Sequence, residues 1–106
     1  MDNKKSFVQG MNIMKKVTLF YMVGCPYCVS ARKAIEELKR EDARCAGVEI
    51  DWIDERKESA LAEQYDYYYV PSIFLEKTKL YEASPSQNDR QIKESVRKAL
   101  HAAADA

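Results

Sequence analysis

The sequence predicts an α/β domain in the order β-α-β-α-β-β-α, with a four-stranded mixed sheet and three flanking helices. Three observations lead there. Short β-branched and aromatic runs alternate with stretches of helical periodicity. A helical stretch separates the first two strands, which requires a parallel pair with a right-handed crossover. A short polar turn separates the last two strands, which reads as a hairpin. The chain has 106 residues, the usual size of one domain. It shows neither repeats nor a linker, so residues 15–106 are read as one domain and residues 1–14 as a weakly ordered N-terminal extension.

The first strand is Val17 to Val23, rich in β-branched and aromatic residues and suited to burial on both faces in the middle of a sheet. Gly24 ends it. Pro26 suits the first helical position, which makes Cys25 the N-cap and Cys28 the third helical residue. Ala31, Ala34, Ile35 and Leu38 form the buried stripe of that helix, and Arg32, Lys33, Glu36, Glu37, Lys39 and Arg40 a solvated face. The helix is expected to end near Arg44 to Gly47, with Gly47 as a left-handed cap.

Val48 to Ile53 alternates apolar and acidic residues as a second strand. Asp54 is placed as N-cap of a second helix from Arg56 to about Tyr65, its inner face carrying Ala60, Leu61 and Gln64 to Tyr65. After the tyrosine-rich stretch 65–69, Ser72 to Leu75 makes the third strand. Glu76 to Lys79 makes the turn and Leu80 to Ala83 the fourth strand. Ser84 to Asn88 is loop. Asn88 and Gln91 have capping-box spacing ahead of a last helix with Ile92, Val96, Ala99 and Leu100 inside. The tail His101 to Ala106 is expected to fray.

Lys and Arg balance Asp and Glu at 17 each, so nothing marks a nucleic-acid footprint or a polybasic membrane anchor. No run approaches the roughly 18 apolar residues of a membrane helix. Gln9, Gly10 and Asn12 interrupt any signal-peptide core. Three cysteines are too few for a secreted disulfide scaffold and fit one redox pair plus a spare thiol in a reducing compartment. A cytoplasmic monomer is therefore expected, with neither nucleic acid nor membrane as a partner.

The chemistry centres on Cys25-Pro26-Tyr27-Cys28, at a strand-to-helix junction. At an N-cap, the Cys25 sulfur would face the free N–H groups of Tyr27 and Cys28 and the positive end of the helix dipole. Those groups favour thiolate, the nucleophilic form. Cys28, one turn inside, would be more covered and less acidic, suited to resolving a mixed disulfide. Pro26 stiffens the turn and Tyr27 projects at the rim. One C-x-x-C offers two ligands where zinc takes about four, and Cys45 and His101 read as a semi-buried thiol and a surface residue, so no metal site is expected. No tightly bound cofactor is expected either.

Cys25-Pro26-Tyr27-Cys28 within residues 24–32, together with Val70-Pro71-Ser72-Ile73-Phe74, resembles the dithiol glutaredoxins over roughly Lys16 to Leu100. The resemblance implies a thioredoxin fold with a cis Pro71. It implies that Val70 lies beside the nucleophile, where its backbone groups can pair with an extended peptide or with glutathione. Tyr69, Val70 and Pro71 thus become the substrate- or glutathione-binding residues, and Tyr69 a wall for an apolar protein substrate. Some positions depart from the family pattern. Met22 stands where a lysine is usual, Tyr69 where a threonine is usual, and Glu82 falls where a glycine pair is usual; Asp89 could serve as the acidic residue of the last helix. A lost lysine–carboxylate contact removes about 1.5–3 kcal/mol if desolvated.

The function expected is reduction of protein or glutathione mixed disulfides through a reversible Cys25–Cys28 dithiol. Glutathione, as co-substrate, or a thioredoxin-reductase-type donor would restore the thiols. The alternatives are a dimer sharing an iron–sulfur cluster and a reductase-coupled hydrogen donor that does not use glutathione.

Overall fold

A computed structural model describes residues 15–106. The extension expected at residues 1–14 lies outside the described residues. In chain order the elements are β1 (Lys15–Tyr21), α1 (Pro26–Glu41), α2 (Ala43–Ala46), β2 (Val48–Asp54), α3 (Ser59–Ala62), β3 (Ser72–Leu75), β4 (Thr78–Glu82) and α4 (Asp89–Ala104). The sheet has four strands in the order β2-β1-β3-β4. β1 is parallel to β2 and antiparallel to β3, and β3 is antiparallel to β4. The mixed sheet, the crossover and the terminal hairpin are those the sequence predicts.

Strand β1 is central, and its Val17, Leu19 and Phe20 are fully buried. Val17 and Leu19 face the main core, where they meet Ile35 and Leu38 of α1, Ile73 of β3, and Val96 and Leu100 of α4. Phe20 points the other way, because side chains alternate along a strand. Among the described residues, no long helix covers it there. Tyr67 stacks on Phe20 with centroids 5.0 Å apart, and Tyr65 meets Phe20 and Phe74 edge-on at 4.8 and 5.0 Å. Such pairs add about 0.5–1.5 kcal/mol each beyond the area they bury.

Several boundaries move. β1 ends at Tyr21, and Val23 is exposed. The first long helix stops at Glu41. Asp42 takes extended angles, and its side chain accepts from the Arg44 N–H to start α2. Gly47 has φ −82°, so it is not the left-handed cap expected there. The second helix, expected over residues 56–65, shrinks to the single turn Ser59–Ala62, with Ala60 exposed. Asp54 ends β2 and accepts from the Arg56 N–H, a turn that competes with helix initiation. β4 starts at Thr78, two residues earlier than expected, with Glu76 at φ 56° in the tight turn and Leu80 as an extra residue in the β3–β4 ladder.

The capping box at Asn88 and Gln91 is present in both directions. The tail does not fray: α4 runs through Ala104, Ala103 is fully buried, and His101 Nε2 lies 2.7 Å from Asp42 Oδ2. A small apolar residue two positions beyond His101 gives that last turn something to bury, and Asp42 gives the imidazole a partner.

Candidate active site

The turn between β1 and α1 sets the two thiols. Gly24 has φ 86°, which a side chain would strain, although a Cβ there would meet nothing within 4 Å. Cys25 follows as the N-cap, with extended angles (φ −86°, ψ 118°), and Pro26 opens the helix. The Cys25 N–H donates to the Met22 carbonyl at 3.3 Å, and the Cys25 carbonyl accepts the first helical bond from Val29 at 3.1 Å. The two sulfurs are not joined in a disulfide.

The Cys25 side chain does not cap α1. Its thiol donates instead to the Val70 carbonyl, with Sγ 3.7 Å from the oxygen. A protonated sulfur has a proton to give, and a carbonyl accepts it where the helix N–H groups cannot. The expected contact between the Cys25 sulfur and the N–H groups of the helix terminus is therefore absent. The Val70–Pro71 bond is cis, as the resemblance implied. Pro71 is buried and Val70 half-buried.

Cys28 is only marginally more covered than Cys25: the two are 6% and 8% exposed. Burial pushes the Cys28 thiol up to about 12. A backbone hydrogen bond with Met22 opposes the rise, and the neighbouring Cys25 and Glu55 add to it. Cys28 thus stays protonated at neutral pH, as suits a resolving residue. Tyr81 of β4 lies beneath it and is also pushed up to about 12, by burial and then by Cys28; its hydroxyl donates to Gln87 Oε1 at 2.7 Å.

Tyr27 does not project freely. Its hydroxyl donates to the Pro85 carbonyl and ties the motif to the loop before α4. Tyr69 stands where a groove wall was expected, 46% exposed, with its ring edge-on to that of Tyr68 at 5.4 Å. Tyr68, Val23 and Val29 are exposed as well. Large apolar side chains therefore flank the motif on both sides. A cleft of about 140 Å³ beside Cys28 is closed by Met22, Val23, Val29, Arg32 and Trp52. The Arg32 guanidinium lies 4.0 Å from the Trp52 ring centre, so this residue of the charged face is a stacking partner as well as a solvated one. A larger cleft of about 310 Å³ sits among Glu55, Tyr65, Tyr67 and Tyr68 on the other face of the sheet, without either active-site sulfur in its lining.

Sequence reasoning missed the clamp beneath Tyr69. One carboxylate oxygen of Glu82 accepts from the N–H groups of both Tyr68 and Tyr69 at 2.7 Å, and the other accepts from Lys79 at 2.7 Å. Burial raises the Glu82 carboxyl, but Lys79 and the two N–H groups outweigh it and hold it below its ordinary value. The Glu82 negative charge is thus committed to the loop that carries Val70. The sequence placed Glu82 in the fourth strand but carried no local signal for these partners. Asp89, the first residue of α4, accepts from the Ser30 hydroxyl at 2.8 Å, two residues beyond Cys28. Cys45 lies outside this site, fully buried at the far end of α1.

No family model matches the chain, and no curated protein matches it. Solved structures do. A mutant thioredoxin from Halobacterium salinarum NRC-1 is similar with TM-score 0.54 and 20% identity, over 83% of this chain and 76% of that one. A structure described as a malarial protein is similar with TM-score 0.55 and 19% identity, over 84% of this chain and 99% of its own. With the sheet order, the crossover and the two long helices on one face, these likenesses establish that the chain has the thioredoxin fold.

Proposed function

We propose that this protein is a glutaredoxin-like thiol–disulfide oxidoreductase that reduces disulfides of protein substrates. One observation carries the reading. Cys25 sits at the N-terminus of α1 with its sulfur 3.7 Å from the Val70 carbonyl, and Cys28 follows one turn inside the same helix.

Cys25 loses its proton and attacks one sulfur of the substrate disulfide. An S–S bond forms between Cys25 and the substrate. The other substrate sulfur leaves as a thiolate and takes up a proton. Cys28 then gives up its proton and attacks the Cys25 sulfur, and the second substrate thiolate leaves. The substrate gains two electrons and two protons, and the protein is left with a Cys25–Cys28 disulfide. An external dithiol, or two molecules of a monothiol such as glutathione, returns the two electrons. Once Cys25 is a thiolate, the Val70 carbonyl loses its donor and is open to an N–H of an extended substrate segment. The exposed Val23, Val29, Tyr68 and Tyr69 favour a protein substrate with apolar residues near its disulfide.

A second reading concerns the donor. Met22 supplies no cation and Glu82 is held as a carboxylate, which favours a thioredoxin-reductase-type donor over glutathione. Turnover coupled to glutathione and its reductase, compared with turnover coupled to thioredoxin reductase, separates the two. Disulfide reduction with neither donor, or undiminished in Cys25→Ser protein, overturns the proposal. Visible absorbance in protein purified without oxygen would instead point to the cluster-bearing dimer.

A further inference from the structure

Helix α1 spans 16 residues, roughly 24 Å of axis, and a second group of metal-binding side chains gathers at the end away from the redox pair. Asp42, Cys45 and His101 place a carboxylate oxygen, a thiol sulfur and an imidazole nitrogen within 4.8 Å of one another. Asp42 and Cys45 are near neighbours in sequence, and the fold brings His101, 59 residues from Asp42, to join them. Asp42 and Cys45 come from the elbow between α1 and α2, and His101 from the last turns of α4.

We propose that these three side chains form a zinc-type divalent-cation site, independent of Cys25 and Cys28. Sulfur, nitrogen and oxygen donors are the set that zinc takes. Bond lengths of about 2.0–2.3 Å in a tetrahedron put neighbouring ligand atoms roughly 3.3–3.8 Å apart. The 2.7 Å between His101 Nε2 and Asp42 Oδ2 and the 4.8 Å limit of the group bracket that spacing. Small side-chain rotations suffice to admit an ion.

The donors are already oriented. Asp42 Oδ1 is fixed by the Arg44 N–H at 3.0 Å, and Cys45 is fully buried in the core. The side chains of Asp42 and His101 are 24% and 26% exposed, which leaves an entry path and a place for a water as fourth ligand. Charge also fits. On binding, Cys45 releases its proton to solvent and His101 binds as the neutral imidazole, so one thiolate and one carboxylate balance the dication. The nearby guanidinium groups of Arg44 and Arg97 are each paired with a carboxylate of their own, Asp105 and Glu94. The bound ion would clasp α4 to the α1–α2 elbow.

The test uses reduced, untagged, full-length Cys25→Ser/Cys28→Ser protein, in which the redox thiols cannot compete. Cobalt(II) is titrated and followed by its sulfur-to-cobalt charge-transfer band. One equivalent is expected to develop the band, zinc to bleach it, and zinc to raise the melting temperature. His101→Gln, a partly exposed change that the fold should tolerate, is expected to weaken cobalt binding at least about tenfold. Cys45→Ser is expected to remove the band. Absence of the band, or a band unchanged in His101→Gln protein, overturns the proposal.

Discussion

The Cys25 sulfur and the Val70 carbonyl oxygen are 45 residues apart in sequence and 3.7 Å apart in space. That contact joins the N-terminus of α1 to the loop before β3, and it leaves the two thiols of one motif in different surroundings. Cys25 faces a carbonyl that a substrate can take over. Cys28 faces buried Tyr81 and is held protonated.

Alkylation at neutral pH should therefore distinguish them. Iodoacetamide is expected to modify Cys25 first, with Cys28 and Cys45 following only after unfolding. Burial pushes Cys45 up as well, to about 11. Peptide mapping after a short exposure checks this, and label found first on Cys28 would speak against the assigned roles.

Stability should fall at alkaline pH. The folded Cys28 value, about 12, lies above the ordinary thiol value of roughly 8.5. The neutral thiol is thus favoured in the fold. Its contribution is complete below the unfolded value and is lost as pH rises from there towards the folded one. Cys45 and Tyr81 act with the same sign. Urea midpoints measured from neutral pH upwards should decline, and Cys28→Ser should flatten part of the slope.

Glu82→Ala should loosen the Tyr68–Val70 loop. It removes the shared acceptor of two exposed N–H groups, at a cost of about 1 kcal/mol, and should lower disulfide reduction with it. Glu82 has a depressed value in the fold, so its contribution is present above the unfolded carboxylate value and is lost as pH falls through the folded one. Denaturation of wild-type and Glu82→Ala protein at neutral and acid pH should show the difference between them narrowing in acid.

Met22→Lys should restore a cation beside the motif. A charge-assisted contact of about 1.5 kcal/mol corresponds to roughly tenfold, so KM for glutathione is expected to fall by about that factor while turnover with a dithiol donor stays unchanged. An unchanged KM would mean that glutathione carboxylates do not approach residue 22.

The sequence made the β1–motif–α1 unit legible, because Gly24, Pro26 and the stripe from Ala31 to Leu38 all act locally. The Asn88–Gln91 capping box was equally plain, since both of its bonds lie within four residues. Legibility failed where a distant partner decides. Asp54 and Asp42 each bond an N–H two residues on, and those turns outweighed helical periodicity around them. Tyr65 and Tyr67 cover the sheet face that a longer helix was expected to cover, which only the pairing of Phe20 with Phe74 reveals. His101 looked like part of a loose tail because its partner Asp42 is 59 residues away. Within the site, the cis Val70–Pro71 bond came from family resemblance, whereas the Glu82 clamp had no local signature.

The central claim is that Cys25 attacks and Cys28 resolves. Cys28→Ser protein mixed with a disulfide-bonded protein substrate, then quenched in acid and mapped by mass spectrometry, tests it most directly. A stable mixed disulfide on Cys25 is the predicted result. An adduct on Cys45, or none on Cys25 while the wild-type protein turns the substrate over, would contradict it.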